Sequence, residues 1–169
     1  MFIKQEEDFF PNLNILLPEI YKIPIYTNEE YKKLTDNPSE WPGKRSAPFH
    51  ESNMLLNYII MDLFERKNLI NNQTDYKVFN CLHLRTQESN DWIHQDSDNL
   101  AALIYLNKTN LNSGTKMYNP EGQMINDIKY VQNRCIMFDA KYYHSGYGHF
   151  GTDIYNGRLT INCFLKRIR

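Results

Sequence analysis

The sequence predicts a mainly β protein with N-terminal helices, in which two sheets form a jelly roll and one or two helices pack on one of them. Two observations predict this fold class. After Asn72 the chain consists of seven or eight short segments that are apolar or alternate in polarity, broken by Asn, Gly, Asp and Ser. Before Asn72, one or two segments have the apolar spacing of helices. At 169 residues the chain is long enough to bury a substantial core.

Residues 1–72 are expected to form helical and loop support for the sheets. Thr27, followed by two glutamates, is a candidate cap for a short helix that ends near Leu34. Residues 36–48 contain three prolines and a Pro-Gly turn signal, which predict a loop. Ser52 is the candidate cap of the strongest helix, whose apolar residues at helical spacing are Leu55, Leu56, Ile59, Ile60, Leu63 and Phe64.

Residues 73–169 are expected to form the jelly-roll core, so that residues 1–169 make a single domain. The predicted strands are residues 76–86, 100–107, 115–118, 126–131, 134–138 and 158–165. The last one alternates: Leu159, Ile161, Cys163 and Leu165 share the face expected to pack on the core. Its other face carries Arg158, Thr160, Asn162 and Phe164. Because a phenylalanine is out of place in bulk water, that face is expected to line the inside of the barrel.

An arginine inside a barrel requires an anionic partner. For Arg158 the partner is either a protein carboxylate or an acidic ligand, and the strand alone does not decide between them. The three cysteines, Cys81, Cys135 and Cys163, lie in apolar strand-like segments without a CxxC pair, which indicates buried free thiols.

The stretch NDWIHQDSDN, residues 90–99, raises the question of a metal site. His94 and Asp96 point the same way on an extended segment, although the pair also suits a polar turn before a strand. His144 follows the predicted strand 134–138, at the rim where a jelly roll would bring it beside His94. Two histidines and one carboxylate form the facial triad of non-haem Fe(II) oxygenases. A bidentate α-keto acid and dioxygen would fill the open positions, and Arg158 with Thr160 would bind the acid's far carboxylate.

The region from about Val78 to Leu165 resembles the Fe(II)- and 2-oxoglutarate-dependent oxygenases, in their prolyl-hydroxylase-like branch. The motifs that carry the resemblance are HQD, YLN, SGT, FDAKYYHSG and GRLT, in the family's order. The resemblance implies a double-stranded β-helix, the cupin-like jelly roll, with dioxygen as co-reactant and ascorbate as a candidate reductant. It implies that His94, Asp96 and His144 bind iron. It further implies that Arg158, Thr160 and Tyr105 bind 2-oxoglutarate.

A bacterial and phage-like subgroup is similar over a longer stretch, because residues 42–46 form a PGxRS loop ahead of the helix. The sequence departs from the family in two places. Arg158 follows His144 by 14 residues, a longer interval than in prolyl hydroxylases, and the insert contains His149, an alternative ligand. Where many relatives have a tyrosine ahead of HxD, this chain has Arg85, which lies either at the rim or beside the substrate. Arg45 is assigned to a packed loop, although it is also a candidate for the substrate mouth.

The expected activity is therefore hydroxylation of a small molecule or a peptidyl side chain. Asp96 favours hydroxylation, because related halogenases have a small residue there. A net charge of −1, and Phe164 where nucleic-acid dealkylases of the superfamily carry a second arginine, argue against a nucleic-acid substrate. A cupin-like dioxygenase without 2-oxoglutarate and a non-enzymatic jelly-roll binding module remain alternatives. The absence of a long apolar run and the acidic start MFIKQEEDFF predict a cytoplasmic protein without a membrane span.

Overall fold

The structure is a computed structural model that describes residues 2–35 and 40–169. Within these ranges the strands are β1 Ile3–Glu6, β2 Lys44–Arg45, β3 Tyr76–Arg85, β4 Leu100–Tyr105, β5 Asn110–Tyr118, β6 Met124–Tyr130, β7 Cys135–Asp139, β8 Tyr143–Tyr147 and β9 Arg158–Arg167. The helices are α1 Leu13–Ile20, α2 Asn28–Leu34, α3 Phe49–Ser52 and α4 Met54–Arg66, and a single 3₁₀ turn spans Gln73–Asp75. None of these helices is both long enough and apolar enough to cross a membrane.

Two antiparallel sheets build the protein. The larger has the order β1-β7-β4-β9-β3-β2, and the smaller has the order β6-β5-β8. An isolated antiparallel bridge between His94 and His144 continues the smaller sheet beyond β8. Tyr105 on β4, Tyr130 on β6 and Phe138 on β7 pack together in one buried cluster, so the apolar faces of the two sheets meet. The predicted jelly-roll class is confirmed.

The outer face of the larger sheet is covered by helices α1 and α4. Phe64 of α4 and Ile20 of α1 are buried in the same cluster as the outward residues of β9. Those residues are the predicted core face, Leu159, Ile161, Cys163 and Leu165. Burial of this apolar face holds the helices on the sheet, since removing apolar area from water is favourable by about 25 cal/mol per Å². The three cysteines are buried and free, as predicted.

The helix predictions are confirmed with one correction. Helix α2 begins after the predicted cap, Thr27, which forms a capping box with Glu30 in which each side chain accepts a hydrogen bond from the other's backbone amide. Helix α4 is capped by Asn53, whose side chain accepts a hydrogen bond from the Leu56 amide at 3.1 Å. The predicted cap, Ser52, instead ends α3 and donates to the Pro48 carbonyl at 2.9 Å. Of the predicted apolar positions, Leu55 is 70% exposed and does not face the core.

The elements that were not predicted include β1, α1, α3 and β8. Helix α1 contains Pro18 and has no acidic residue in its first turn, so its local signals are weak. It is stabilised by burial of Leu13 and Ile20 against the sheet. Part of the predicted loop 36–48 is strand β2, which pairs with β3, while residues 36–39 lie outside the described ranges.

Candidate metal centre and the arginine-lined cavity

His94 and His144 lie on neighbouring extended segments joined by two reciprocal backbone hydrogen bonds. The His94 amide donates to the His144 carbonyl at 3.0 Å, and the His144 amide donates to the His94 carbonyl at 2.9 Å. The Asp96 amide donates to the Ala140 carbonyl at 2.9 Å. Backbone hydrogen bonds therefore fix the main-chain positions of all three predicted ligands, independently of their side chains.

The side chains of these three residues converge on one point. His94 Nε2 lies 3.5 Å from Asp96 Oδ1, and His144 Nε2 lies 3.4 Å from Asp96 Oδ2. One potential ligand atom from each residue lies within 4.8 Å of the other two. Side chains at this separation can share one metal ion, because metal–ligand bonds of about 2.0–2.2 Å bring three ligand atoms to such distances.

The hydrogen bonds of the two imidazoles leave the correct nitrogen free for a metal. His94 Nδ1 lies 3.1 Å from the Trp92 carbonyl, and His144 Nδ1 lies 2.9 Å from the Tyr142 carbonyl. A carbonyl accepts only, so each Nδ1 carries the proton and each Nε2 presents a lone pair towards Asp96. Burial, and then the neighbouring His144, lowers the pKa of His94, which favours the neutral imidazole that a metal requires.

Aromatic rings hold both imidazoles in place. The Trp92 indole stacks on His94 at 4.3 Å between ring centroids, with the planes 14° apart. Phe138 meets His144 edge to face at 4.9 Å. Trp92 is 43% exposed, so it also forms part of the entrance to the site.

A cavity connects the three residues to a group of arginines on the larger sheet. Its lining includes His94, Asp96 and His144 on one side, and Arg45, Arg85 and Arg158 on the other. The free volume at its centre is about 40 Å³, so an organic molecule enters only if long side chains that line the cavity rotate.

Arg158 is buried at the inner end of this cavity. Its side chain is 3% exposed, and its Nη2 donates to the Gly114 carbonyl at 3.1 Å and to Thr115 Oγ1 at 3.2 Å. Its Nε has no hydrogen-bond partner, and no described carboxylate lies within ion-pair distance. A β-carbon at position 146 would lie 3.1 Å from Arg158 Cζ, so Gly146 leaves room for the guanidinium group.

Thr160 and Tyr105 are buried and are not among the residues that line the cavity. The Thr160 hydroxyl donates to Asn162 Oδ1 at 2.7 Å. The Tyr105 hydroxyl lies 2.8 Å from Thr115 Oγ1, the same oxygen that accepts a hydrogen bond from Arg158. Tyr105 thus contacts the arginine's partner, and its predicted contact with a carboxylate stays a prediction.

The other histidines lie outside the cluster. His149 is not among the residues that converge on Asp96, and its Nε2 lies 3.1 Å from Asp91 Oδ1 without the alignment of a hydrogen bond. His83 lies 2.6 Å from the Pro42 carbonyl through Nε2 and 3.2 Å from the Asn162 side-chain nitrogen through Nδ1. Burial lowers the pKa of His83 well below its usual range, so it is a neutral structural group.

Sequence reasoning left Arg85 and Arg45 undecided, and both line the cavity. Position 85 continues the inward-facing alternation of β3, two residues after His83, which was the signal that could have placed it. No comparable signal was available for Arg45, because the two-residue strand β2 forms only through pairing with β3.

A scan against protein-family models and a search of curated proteins each found no match to this sequence. Solved structures with the same fold do exist. A prolyl-4-hydroxylase from Pseudomonas putida is 14% identical with a TM-score of 0.61, over 99% of this chain and 93% of that one. An oxidoreductase of the 2OG-Fe(II) oxygenase family from Burkholderia pseudomallei is 13% identical with a TM-score of 0.66, over 98% of this chain and 84% of that one.

HygX from Streptomyces hygroscopicus, whose structure contains nickel and 2-oxoglutarate, is 8% identical to this chain. Its TM-score is 0.64, over 96% of this chain and 82% of that one. At such identities the similarity establishes the fold and not the chemistry. The chain therefore has the fold of the 2-oxoglutarate- and iron-dependent oxygenases.

Proposed function

We propose that the protein is an Fe(II)- and 2-oxoglutarate-dependent oxygenase that hydroxylates a small molecule or a peptidyl side chain. One observation carries the proposal: a His-Asp-His cluster and the buried Arg158, which has no anionic partner within residues 2–35 and 40–169, line the same cavity. The cluster alone would fit many metal proteins. The unpaired arginine adds the need for an acidic ligand beside the metal.

The three candidate ligands suit ferrous iron. His94, Asp96 and His144 would hold the ion through two imidazole nitrogens and one carboxylate oxygen, a set that leaves further positions open. Both histidines already have the tautomer that coordination requires, because backbone carbonyls accept their Nδ1 protons. Metal binding would therefore require little rearrangement of the two imidazoles.

Arg158 suits one carboxylate of a keto acid. Burial with one free Nε–H makes it a strong, fixed donor, since charge-assisted hydrogen bonds are about twice as strong as neutral ones. Thr115 and the Gly114 carbonyl hold the guanidinium plane in position. Tyr105 hydrogen-bonds to Thr115, whereas the Thr160 hydroxyl donates to Asn162. We propose that Thr115, Gly114 and Tyr105 position the arginine, and that Arg158 makes the principal contact with the acid.

Iron, 2-oxoglutarate and dioxygen together supply an oxidant for a C–H bond, with the keto acid converted to succinate and carbon dioxide. The chain's own part is to orient the reactants and to exclude water. Phe138, Leu103 and Phe164 give the cavity an apolar lining between its polar ends. Asp96 would fill one metal position as a carboxylate, which favours hydroxylation over halogenation.

The finer assignment is to the bacterial and phage-like subgroup with the PGxRS, HSG and GRLT motifs. The structure in that part of the chain supports this assignment, because Pro42 and Arg45 of the loop line the cavity with Arg158 of GRLT. Proteins with this fold include a prolyl hydroxylase in complex with a peptide fragment from Trichoplax adhaerens, as well as the epimerase SnoN of nogalamycin biosynthesis. Both peptide and small-molecule substrates are therefore compatible with the fold.

The test is succinate formation from 2-oxoglutarate without added substrate. Purified protein with Fe(II), ascorbate and air should release succinate slowly, and anaerobic samples should not. Asp96→Ala should abolish the release. The matched control, Asp98→Ala, removes a nearby carboxylate that is not part of the cluster and should retain it. Equal succinate from Asp96→Ala and the unchanged protein would contradict the proposal.

A further inference from the structure

Three arginines converge on the inner face of the larger sheet. Arg85 on β3 is the direct antiparallel partner of Arg158 on β9. Arg45 on β2 is paired with His83, two residues before Arg85, so Arg45 and Arg85 are diagonal neighbours. Directly opposed residues have β-carbons about 5 Å apart, and diagonal neighbours lie within reach of long side chains. The sheet therefore places three like charges side by side.

These arginines are largely withdrawn from water, and none of them forms an ion pair with a carboxylate in the part of the chain that the structure describes. Arg85 is 4% exposed, and its Nη2 donates to the Asn90 carbonyl while its Nε has no partner. Arg45 Nε is also buried without a partner. Arg134, by contrast, lies 2.6 Å from Glu7. Among the described residues, Arg45, Arg85 and Arg158 form no ion pair.

The position of Arg45 differs from that of Arg158. Arg45 lies over the Trp41 ring at 4.9 Å and over the Phe164 ring at 5.9 Å. Its guanidinium is therefore held between two aromatic faces rather than by polar groups. Arg45 lines the same cavity as His94, Asp96 and His144.

The charges of the proposed cofactors do not neutralise this group. Three guanidinium groups line the cavity with one carboxylate, Asp96, an excess of two positive charges. Ferrous iron and the 2-oxoglutarate dianion cancel each other, so the excess remains after both are bound. Buried cations without partners are costly, and such a site binds an anion readily.

We propose that the substrate is a small organic oxyanion, a carboxylate or a phosphate, held by Arg85 and Arg45 while Arg158 holds 2-oxoglutarate. This inference rests on the proposed function. An arginine fork matches the planar oxygens of either group. The positive charge of two arginines also disfavours neutral and cationic substrates.

A second pocket shows where the rest of such a molecule would lie. It has a volume of about 340 Å³ and shares Arg45 and Phe164 with the first cavity. Trp41, Phe79 and Tyr31 add further aromatic walls. A substrate whose oxyanion binds Arg45 and whose apolar or aromatic body lies in this pocket would contact both the cavity and the second pocket. The substrate class is thus an oxyanion with an apolar body.

The experiment follows the Nε–H signals of single arginines by ¹H–¹⁵N NMR. The protein is labelled with ¹⁵N-arginine, loaded with diamagnetic Zn(II), and assigned with Arg45→Lys, Arg85→Lys and Arg158→Lys variants. Saturating 2-oxoglutarate is added first, followed by acetate, inorganic phosphate or neutral acetamide in separate arms. Arg134, paired with Glu7, is the internal control, and its signal should not move in any arm.

We expect 2-oxoglutarate to shift the Arg158 signal, and acetate or phosphate then to shift Arg85 and Arg45 saturably. Acetamide should shift neither. The arm with the larger response, acetate or phosphate, distinguishes the two substrate chemistries. In Arg85→Gln, we expect the anion affinity reported by Arg45 to fall about ten-fold, because one charged donor is lost.

Two results would overturn the inference. One is that 2-oxoglutarate alone shifts Arg85 together with Arg158, and that later anions move nothing, which would assign both arginines to the keto acid. The other is that Arg85 and Arg45 respond to none of the anions, or respond equally to acetamide. Failure of the proposed function is distinguishable, because it appears as the absence of any Arg158 response to 2-oxoglutarate.

Discussion

Arg85 and Arg158 face each other directly across β3 and β9, and both are almost completely buried. Like charges in directly opposed positions destabilise a sheet. Burial, and then the charge of Arg158, lowers the pKa of Arg85 to about 10, so burial and the like charge both oppose proton binding at this guanidinium group. We expect the arrangement to lower the free energy of unfolding of the ligand-free protein.

We therefore expect Arg85→Met to stabilise the ligand-free protein. Methionine fills a similar volume, and replacing even a buried ion pair by apolar side chains is often stabilising by about 1–4 kcal/mol, so the loss of a buried charge without an ion pair should stabilise as well. Loss of the hydrogen bond to the Asn90 carbonyl offsets part of this gain. A net gain of about 1 kcal/mol corresponds to roughly 2–4 °C in Tm for a chain of this size.

The matched control for this substitution is Arg134→Met. Arg134 forms an ion pair with Glu7 at 2.6 Å, so its replacement should leave the Tm unchanged or lower. Calorimetry of both variants without metal or keto acid is the measurement. A lower Tm for Arg85→Met than for Arg134→Met would show that Arg85 is a structural residue rather than an uncompensated charge.

Metal binding should depend on His144 and not on histidines outside the cluster of His94, Asp96 and His144. Removing one of three ligands leaves too few donors for tight coordination, so His144→Ala should weaken Fe(II) or Zn(II) binding at least about 100-fold. His50 is partly exposed in α3 and lies outside the cluster, which makes His50→Ala the control. Competition with a chromophoric chelator gives both affinities. Equal affinities in the two variants would remove His144 from the metal site.

Much of this arrangement could be predicted from the sequence, because its parts constrain one another locally. The alternation of β9 separated the apolar residues that pack on the helices from Arg158, and the i, i+2 spacing placed His94 and Asp96 together. Strand β8 was missed because YHSGY is short and contains glycine, so its structure comes from pairing with β5 rather than from local propensity. Pairing with a strand that is distant in sequence cannot be recognised from the local pattern of apolar and polar residues.

The N-cap of α4 is Asn53 in the structure, whereas the sequence predicted Ser52, and substitutions can distinguish the two. Asn53 accepts a hydrogen bond from the Leu56 amide, so Asn53→Ala should lower the free energy of unfolding by about 1 kcal/mol. Ser52→Ala, at the cap expected from sequence, should cost less because the Ser52 hydroxyl donates to a carbonyl of the preceding helix. Urea unfolding of both variants is the measurement. The reverse order of the two costs would favour the sequence-based cap.

The stability of the protein should fall as the pH drops below about 6.5, partly because of His149. Burial, together with Arg85 and Arg158, lowers the pKa of His149 to about 3. Between these values the unfolded chain binds a proton that the folded protein does not, so acid favours unfolding. This one group should cost about 1 kcal/mol between pH 6.5 and pH 5.5.

The variant His149→Phe isolates that contribution. Its free energy of unfolding should fall less steeply between pH 6.5 and pH 5.5 than that of the unchanged protein, with the difference close to the expected amount. Urea titrations at several pH values in this range provide the comparison. Identical slopes would mean that His149 binds its proton equally well in the folded and unfolded states.

The most direct test of the central claim is an anaerobic titration of the metal-free protein with Fe(II) and then with 2-oxoglutarate, followed by visible absorption. We expect a weak, saturable charge-transfer band when the keto acid binds beside the iron. His94→Ala should lose the band, and Arg158→Gln should require roughly 100-fold more 2-oxoglutarate to reach it, since it removes the one charged partner of the far carboxylate. Iron binding without a band, or a band unaffected by Arg158→Gln, would contradict the account and favour a metal enzyme that uses no keto acid.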